Sequence, residues 1–378
     1  MKVLFTTNTP ASYRVDFFNC LGQLCDLTVL FETKHDKSRD ENWSSNDFRY
    51  FQAIFMKGIQ MGSADALCLE VFKFFSNKYD VIVSGAYHTP TGMLAIEYLK
   101  RKKIPFIISS DGGLVKEEKK LKYMIKKRLI GSADTWLSTG KITTEYLLHY
   151  GARDKDIFNY PFTSVKEEDT LDSPTSLKEK IQLRDELGIK EERVIVSVGQ
   201  FIYRKGYDIL LQTAKKLSKK CGIYIVGGIP TEEYLKFKEK YHLSNVHFIG
   251  FKEKKELEKY YKAADFFVLP TREDIWGLVV NEAMAYGLPV ITTDKCVAGI
   301  EMVEEGINGF IVKAESEEEL RNAIEKLLTM DLQKAGKYAI ETAKQYTIER
   351  MAEIHIKVFM KLREKNETKT FVDRNYNM

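Results

Sequence analysis

The stretch TREDIWGLVVNEAMAYGLPVITT, residues 271–293, carries the chain from a loop into a helix and then into a strand. The apolar run 266–269 before it predicts a short strand. A helix is expected to begin near Gly277 and to end at Gly287, since glycine followed closely by proline is typical of a helix C-terminus. Residues 290–293 then form the next strand. The acidic loop before Gly277 therefore lies at the carboxyl end of a strand.

Two carboxylates of this stretch, Asp274 and Glu282, are eight residues apart, just over two helical turns. If the helix starts early, both lie along one of its edges. In open α/β sheets ligands bind beyond the carboxyl ends of the strands, where the backbone N–H groups at a helix start attract anions. Carboxylates in the same place suit a sugar or ribose better than a phosphate. The stretch thus predicts a ligand site.

The same stretch resembles the donor-binding signature of the retaining GT-B glycosyltransferases of family four (group 1 type). That signature has a Glu, seven residues, and a second Glu that precedes Ala-Met-Ala and Gly-x-Pro-Val. Here Glu282 is the second acid, and the Ala-Met-Ala and Gly-x-Pro-Val residues follow it. Asp274 stands at the first position, one methylene shorter, with Glu273 beside it. Either Asp274 serves directly, or the loop shifts so that Glu273 reaches the ligand.

The resemblance implies an α/β protein of the GT-B class, with two doubly wound Rossmann-like domains, a cleft between them and a C-terminal helix that crosses back to the first domain. We place the acceptor-side domain at residues 1–162 and the nucleotide-sugar-binding domain at 163–345. Residues 346–378 would form the returning helix and a frayed tail from residue 365. Alternating strand and helix patterns in both halves favour parallel sheets. The polar run 33–50 is predicted to be a long loop near the cleft.

Composition limits the alternatives. A chain of 378 residues exceeds what one core usually supports, and 44% hydrophobic and 30% charged residues describe a soluble globular protein. A net charge of +4 is too small to argue for a nucleic-acid partner. We recognise neither a membrane-spanning run nor a signal peptide in the sequence, which predicts a cytoplasmic protein. The sequence lacks a GxGxxG after a strand and a proper P-loop, so a dehydrogenase or an NTPase is not expected.

A second loop, GQFIYRKG at residues 199–206, follows a strand and precedes a helix. Arg204 and Lys205 can reach a diphosphate at the helix start. In the resembling family an Arg usually follows the first Gly and a Lys precedes the last. Lys205 matches, but Gln200 replaces the Arg, so we assign the cationic role to Arg204. Alternatively, both cations are ordinary solvated loop residues.

Roles for the ligand site follow from the chemistry and the resemblance. The Glu282 carboxylate would accept hydrogen bonds from ribose hydroxyls, and residues 273–276 would meet the sugar and the departing phosphate. The predicted donor-binding residues are Gly199, Gln200, Arg204, Lys205, Ile275, Trp276, Gly277, Leu278 and Glu282. Retention in this family is usually assigned to front-face attack, with the leaving diphosphate helping to deprotonate the acceptor. Neither a cofactor nor a metal is expected, because the six histidines are scattered.

The first domain should carry the acceptor and any base. Asp111 ends one predicted strand in Ser-Asp-Gly-Gly, and His88 lies in the loop after another strand. In relatives a polar residue at the position of Asp111 faces the donor sugar, so Asp111 is the first candidate and His88 the second. Asp-Gly-Gly is also a common turn, which leaves a purely structural interpretation open. The predicted catalytic residues are Asp111, His88, Glu273 and Asp274.

The segment 116–130, KEEKKLKYMIKKRLI, is a basic amphipathic helix. It can lie on an anionic membrane surface at the inner face of the cell membrane, or pack on the sheet with a solvated outer face. The resemblance to the family-four glycosyltransferases implies a retaining hexosyltransferase of bacterial capsule or cell-surface polysaccharide synthesis. The donor is a nucleotide-diphosphate sugar, with UDP favoured over GDP, and the acceptor a glycan or polyprenyl-diphosphate-linked saccharide. The alternatives are an epimerase or hydrolase on the same fold, or a non-catalytic nucleotide-sugar-binding protein.

Overall fold

The computed structural model describes residues 1–38, 44–75 and 78–376, with side chains to residue 364. The chain divides into two units. Unit 1 comprises Met1–Ser164 and Thr347–Met378, and unit 2 comprises Val165–Tyr346. These divisions fall one or two residues from the predicted domain ends at 162 and 345.

Unit 1 is built on a parallel sheet that has, within the described residues, seven strands in the order β3-β2-β1-β6-β7-β8-β9. A short antiparallel pair, β4 and β5, lies outside this sheet. The strands are β1 (Lys2–Thr7), β2 (Asp26–Phe31), β3 (Gln52–Phe55), β4 (Ile59–Gln60), β5 (Ala66–Leu67), β6 (Val81–Ser84), β7 (Ile107–Ser109), β8 (Thr135–Ser138) and β9 (Ile157–Asn159).

The helices of unit 1 connect these strands. In chain order they are α1 (Ser12–Gly22), α2 (Pro90–Lys102), α3 (Lys120–Ile130) and α4 (Lys141–His149). Local chemistry accounts for the start of α2, because the Thr89 side chain accepts a hydrogen bond from the Gly92 N–H and Pro90 occupies the first turn. Leu4, Ile82 and Ile108 on adjacent strands pack with Ile96 of α2 in the core.

Unit 2, described throughout, has a six-stranded parallel sheet in the order β12-β11-β10-β13-β14-β15. Its strands are β10 (Arg193–Val198), β11 (Cys221–Val226), β12 (Val246–Ile249), β13 (Phe266–Leu269), β14 (Val290–Thr293) and β15 (Gly309–Val312). Counted along unit 2, this is the order 3-2-1-4-5-6 of a doubly wound sheet. The direction in which successive strands are added reverses between β10 and β13. We call this place the switch point, and ligands bind at such points in doubly wound sheets.

The helices of unit 2 are α5 (Leu177–Leu187), α6 (Tyr207–Ala214), α7 (Glu232–Lys240), α8 (Lys254–Ala263), α9 (Leu278–Ala285), α10 (Val297–Met302), α11 (Glu317–Thr329) and α12 (Leu332–Ala343). Ile195, Ile225 and Val268 on the strands and Leu210 and Ile324 on the helices lie in one fully buried cluster. The sheet is therefore covered by helices, as an all-parallel sheet requires.

The last helix, α13 (Ile348–Tyr376), belongs to unit 1 and packs on α1. The buried ring of His355 lies 4.8 Å from that of Phe17 on α1, and burial lowers the pKa of His355 to about 4. The predicted fold class is confirmed: two Rossmann-like α/β units and a C-terminal helix. The predicted fraying of the tail from residue 365 stays a prediction. The backbone of α13 continues to Tyr376. Residues 364–376 contain no glycine or proline to end it.

A short 3-10 helix, Leu69–Lys73, lies between β5 and β6. Residues 76–77, which follow it closely, lie outside the described part. Residues 39–43 of the predicted loop 33–50 also lie outside it. Among the described residues, we find no helix with the length and apolar character needed to cross a membrane.

A buried ion cluster joins α5 to the sheet of unit 2. The Asp265 carboxylate lies 3.0 Å from Arg184 Nη2 and 3.4 Å from Lys180 Nζ, and it accepts a hydrogen bond of 2.9 Å from the Val194 N–H. All three charged side chains are at most 10% exposed. Removing one member of such a cluster leaves uncompensated buried charge.

Asp265→Asn is therefore expected to lower the free energy of unfolding by about 3–5 kcal/mol. The matched control is Asp185→Asn, the same substitution at an exposed position of α5. We expect the control to change stability by less than about 0.5 kcal/mol. Chemical denaturation of both variants measures the difference. Equal stability of the two variants would show that the cluster contributes nothing.

Candidate functional site

The candidate site of unit 2 lies where the two strands at the switch point end. The loop after β10 contains residues 199–206, and the loop after β13 contains residues 270–277. The two strands are paired in parallel, with Val196 opposite Phe267, so both loops emerge from the same edge of the sheet. Residues about seventy positions apart in sequence thereby become neighbours.

Hydrogen bonds join the two loops directly. The Arg204 carbonyl accepts from the Arg272 N–H at 2.8 Å and from the Thr271 hydroxyl at 2.9 Å. In return, Arg204 Nη1 donates to the Glu273 carbonyl at 2.7 Å. The loop conformations are therefore set by each other and not by either segment alone.

Gly206 permits this close approach. Its φ of +69° lies in the left-handed region, and a Cβ at this position would come within 2.0 Å of the Pro270 carbonyl oxygen. That oxygen belongs to the backbone and cannot move aside as a flexible side chain would. Glycine is therefore required here both for conformation and for space.

Arg272 adds a side-chain link that the sequence reasoning missed. Its guanidinium donates to both oxygens of Asp208, at 2.8 and 2.6 Å, and to Glu315 at 2.8 Å. It also lies 3.9 Å from the centre of the Tyr203 ring. Bidentate contacts of this kind are strong and geometrically specific. Arg272 therefore holds the loop after β13 against the start of α6.

The predicted cations and the first acid form one cluster. Lys205 Nζ lies 2.7 Å from Asp274 Oδ2, and Arg204 Nη1 lies 3.3 Å from Asp274 Oδ1. The Asp274 side chain is only 12% exposed. Asp274 thus has its carboxylate on both cations. The interpretation of Arg204 and Lys205 as simply solvated residues is not supported.

Backbone contacts fix Asp274 in place. Its N–H donates to the Lys295 carbonyl at 2.8 Å, and its carbonyl accepts from the Val297 N–H at 3.1 Å. The loop after β13 is therefore also attached to the loop after β14. Because α9 begins only at Leu278, Asp274 lies in the loop, and the idea that Asp274 and Glu282 share one helix edge is wrong.

Trp276 does not lie where the sequence prediction placed its side chain. The ring is 3% exposed, and its indole N–H donates to Asn281 Oδ1 at 2.8 Å. The Trp276 carbonyl accepts from the Ala298 N–H and from Cys296 Sγ. Any contact of Trp276 with a ligand would therefore come from its backbone N–H, whereas the adjacent Ile275 side chain is exposed.

The start of α9 faces the same edge of the sheet. Gly277 adopts a φ of +103°, and Leu278 is the first helical residue. Because Gly277 has no side chain, it cannot cap the N–H groups of the first turn, which carry the positive end of the helix dipole. On the neighbouring loop, Gly199 and Gln200 follow β10, where the Gly199 N–H is bonded to the Val226 carbonyl at 2.9 Å.

Glu282 is held by a buried tyrosine. The Tyr261 hydroxyl donates to Glu282 Oε2 at 3.0 Å, and the Tyr261 ring stacks on Tyr286 with their centres 5.3 Å apart. Burial and the nearby Glu282 raise the pKa of Tyr261 well above its ordinary value, so the hydroxyl keeps its proton and remains a donor. Sequence reasoning did not identify Tyr261, since only the fold brings α8 to α9.

In unit 1, Asp111 is already engaged by two side chains. It forms an ion pair with Arg14, and the Tyr160 hydroxyl donates to its Oδ1 at 3.2 Å. Arg14 also donates to the Thr7 hydroxyl at 2.7 Å. Burial opposes the charge on Arg14, but the Asp111 carboxylate together with Tyr13 and Tyr160 outweighs burial and raises the pKa of Arg14. The first turn of α1 and the loop after β7 are thus connected through an ion pair.

His88 lies on the loop after β6, and its side chain is exposed. Desolvation by nearby protein atoms lowers the pKa of His88, and the positive charge of Arg14 lowers it further. The negative charges of Asp65 and Asp111 raise this pKa but do not cancel the lowering. The adjacent Tyr87 hydroxyl lies 3.2 Å from Ser110 Oγ, which joins this loop to the one that carries Asp111. His88 is therefore a neutral, accessible imidazole near neutral pH.

Comparisons with known proteins identify a family that resembles part of this chain. Residues 179–346 match the family described as Glycosyl transferases group 1, a range that includes every predicted donor-binding residue. Unit 2 is thus similar to this family over the matched range, and the two Rossmann-like units are those of the GT-B fold class.

Two relatives whose alignments are longer than unit 2 have names that mention a cps region or O-antigen biosynthesis. An uncharacterized 41.2 kDa protein in the cps region of Klebsiella pneumoniae is 29% identical over 269 residues, which cover 68% of this chain and 72% of that protein. The O-antigen biosynthesis glycosyltransferase WclY of Escherichia coli is 26% identical, covering 66% and 69%. Alignments to two further uncharacterized glycosyltransferases, from Methanocaldococcus jannaschii and Haemophilus influenzae, span about half of each relative's length, 47% and 50%.

Among solved structures, the Anabaena protein HepE in complex with UDP is similar over nearly the whole chain. The TM-score is 0.75, with 97% of this chain and 100% of HepE covered. Because the sequences are only 17% identical, this likeness shows the shared fold alone.

Gly206→Ala tests the close approach of the two loops, with Gly188→Ala as its matched control. Both glycines have a φ of +69°, but a Cβ at Gly188 meets nothing within 4 Å. Gly188→Ala should lower the free energy of unfolding by about 1–2 kcal/mol, because alanine is strained in the left-handed region. Gly206→Ala should cost clearly more by chemical denaturation, because the backbone clash is added to the strain. Equal costs would mean that the loops separate without penalty.

Proposed function

We propose that the protein is a retaining hexosyltransferase that moves a sugar from a nucleotide-diphosphate sugar to a glycan or polyprenyl-diphosphate-linked acceptor. A UDP-sugar is the favoured donor and a GDP-sugar the alternative. The proposed role is cell-surface or capsular polysaccharide biosynthesis at the cytoplasmic face of the membrane. The observation that carries the proposal is the cluster of Lys205, Arg204 and Asp274 at the switch point of a unit similar to the group 1 family.

The cluster of Lys205, Arg204 and Asp274 suits a diphosphate leaving group, which gains negative charge as it departs from the sugar. Lys205 and Arg204 provide two cations beside the uncapped start of α9, and both favour a phosphate anion. As the bond between the sugar and the diphosphate breaks, negative charge grows on the leaving phosphate. Cations already in position stabilise this charge most in the transition state. The chain's own side chains thus provide electrostatic stabilisation, and we propose that turnover requires no metal.

Asp274 holds the two cations in position before the donor binds. A diphosphate has more charge and more acceptor oxygens than one carboxylate, so it can take over part of the contacts that Lys205 and Arg204 make to Asp274. The Asp274 carboxylate would then be able to accept a hydrogen bond from a sugar hydroxyl. This exchange assigns the first acidic role to Asp274, and Glu273 contributes its carbonyl to the placement of Arg204.

Glu282 is proposed to bind the ribose. A carboxylate accepts hydrogen bonds only, so its oxygens suit the two hydroxyls of a ribose. The bond from the Tyr261 hydroxyl to Oε2 fixes the orientation of the carboxylate. Tyr261 is therefore a positioning residue for the nucleotide.

On the acceptor side, the structure favours His88 over Asp111 as the group that receives a proton. Asp111 is bonded to Arg14 and Tyr160, whereas His88 is exposed and has a lowered pKa. We propose that Asp111 orders the loop after β7 and that His88 is the residue of unit 1 that accepts a proton from the acceptor. The epimerase or hydrolase alternative lacks a comparable observation.

The donor site is tested by thermal unfolding with a panel of nucleoside diphosphates and their sugars. A ligand at 100 times its Kd stabilises the folded state by about 2.7 kcal/mol, which corresponds to a shift of several degrees. Glu282→Gln should weaken binding about tenfold or more, because it removes charge from the ribose contacts. Glu233→Gln, an exposed position on α7, should bind like the wild type.

A shift with one nucleotide that is reduced only in Glu282→Gln, followed by sugar transfer in a turnover assay, supports the proposal. A shift without turnover on any acceptor would favour the non-catalytic nucleotide-sugar-binding protein. Absence of a shift with every nucleotide would contradict the donor site itself.

The surface of α3 favours an anionic membrane as a further partner. Leu121, Met124 and Ile125 are 71%, 55% and 42% exposed, while Leu129 and Ile130 at the end of the helix are buried. The sheet thus covers only the last turn of the apolar face. Lysines flank the exposed residues along the helix, and each basic residue near an anionic surface adds about 1 kcal/mol. We propose that α3 lies on the membrane and so brings the enzyme to a lipid-linked acceptor.

Vesicle sedimentation measures this association. The triple variant with Leu121, Met124 and Ile125 each changed to Ser should bind vesicles containing anionic lipid at least about tenfold more weakly, because it removes apolar surface that would otherwise be buried. Leu177→Ser with Ile181→Ser, at exposed apolar positions of α5, should leave binding unchanged. Equal sedimentation of the triple variant and the wild type would contradict the proposal.

A further inference from the structure

Glu32 is a buried carboxyl group that the site described above does not use. It directly follows β2 and is only 6% exposed. Its backbone N–H lies 3.2 Å from the Thr7 carbonyl and 3.0 Å from the Asn8 carbonyl, so the residue is held beside the end of β1. It therefore lies at the carboxyl edge of the unit 1 sheet, the same edge as Asp111 and His88.

Two other segments bind the two oxygens of Glu32. The Thr89 hydroxyl lies 2.5 Å from Oε1, and the Ala66 N–H donates to Oε2 at 3.1 Å. Thr89 is the residue that caps α2, and it follows His88 in the sequence. One side chain thus connects the end of β2, strand β5 and the start of α2.

The protons at Thr89 can be arranged in two ways. The hydroxyl has one proton and two acceptors within reach, Glu32 Oε1 at 2.5 Å and the Ala86 carbonyl at 2.9 Å. If Glu32 is ionised, the Thr89 proton goes to Glu32. If Glu32 is protonated, its own O–H donates to Thr89 Oγ1, and the Thr89 proton turns to Ala86. Every proton has an acceptor in both arrangements, and the bond from Ala66 is the same in both.

The surroundings bring the ionisation of Glu32 close to neutral pH. The pKa of Glu32 is raised to about 7, chiefly by burial and in smaller part by the charge of Asp65. The hydrogen bonds from Thr89 and Ala66 lower the pKa but do not outweigh burial. The charge of Asp65 also acts on His88, where it partly offsets the desolvation that lowers the pKa of the ring. Cys68, whose Sγ lies 3.8 Å from the Glu32 carbonyl, stays a thiol because burial and Glu32 raise its pKa. An ordinary glutamate would be fully ionised at this pH.

We propose that Glu32 is a positioning residue whose protonation selects between the two hydrogen-bond arrangements of Thr89 and thereby adjusts the loop that carries His88. The consequence for His88 as a proton acceptor rests on the proposed function. The two-state behaviour of Glu32 and Thr89 does not, because it needs neither donor nor acceptor.

The effect on stability has a definite sign. The folded protein binds the Glu32 proton more tightly than the unfolded chain does, because its pKa is raised from 4.5 to about 7. This contribution to stability is fully present below the pKa of the unfolded chain and is lost as the pH rises through about 7. In Glu32→Gln, the amide can donate to Thr89 and accept from Ala66, so it reproduces the protonated arrangement at every pH.

Thermal unfolding of the full chain without ligands tests this directly between pH 5 and 8.5. Wild type and Glu32→Gln should have similar Tm values near pH 5. By pH 8 the wild type should lie lower by a difference on the order of 5 °C, and the difference should grow between the unfolded and folded pKa values of Glu32 and level off above about pH 7. Glu70→Gln, in the short 3-10 helix after β5, is the control, since the Glu70 carboxylate accepts from the Lys57 N–H and its pKa is lowered. It should gain no stability relative to the wild type as the pH rises.

A second readout reports on His88 itself. The His88 ring resonances, assigned by their loss in His88→Asn, should show an inflection near pH 7 in the wild type that is absent in Glu32→Gln. A constant Tm difference between wild type and Glu32→Gln across the pH range, or ring resonances without that inflection, would overturn the proposal. If both readouts behave as expected but turnover is absent, the proposed function fails and the role of Glu32 stands.

Discussion

The parallel pairing of β10 with β13 is the constraint on which the candidate donor site depends. This pairing places Ile195 opposite Phe266 and Val196 opposite Phe267. From β10 and from β13, the later strands are added in opposite directions across the sheet. The loops that follow the two strands are therefore the pair that can enclose a ligand at this edge. Their backbones approach at Gly206 so closely that a side chain is excluded there. The positions of the cations and of Asp274 are therefore set by contacts between the two loops, and not within either loop alone.

Electrostatics explains how the chain holds two cations side by side at this edge of the sheet. A cation pair beside a helix start would repel itself, and the Asp274 carboxylate balances that charge at 2.7 and 3.3 Å. Arg272 does the same for Asp208 and Glu315. Each charge of the loops is thus placed and compensated before a ligand arrives. Preorganisation of this kind is the form in which a protein stabilises developing charge most effectively.

Much of the fold follows from local patterns, whereas the partners within the site do not. The apolar runs 266–269 and 290–293 predicted β13 and β14 with the bounds that the structure gives. The positions of Glu282 and Lys205 followed from strand-loop-helix order and from a family signature. By contrast, the bond from Tyr261 to Glu282, the burial of Trp276 and the contacts of Arg272 depend on how distant helices pack. Periodicity along the chain carries no information about such contacts. The same limit applies to Glu32, which directly follows a strand.

A crystal structure of the protein with a nucleoside diphosphate is the most direct test of the central claim, that the switch point of unit 2 binds the donor. The account predicts the diphosphate against Arg204, Lys205 and the start of α9, and the ribose hydroxyls on the Glu282 carboxylate. Nucleotide bound at another edge of the sheet, or at this edge without contact to Lys205 and Glu282, would contradict it.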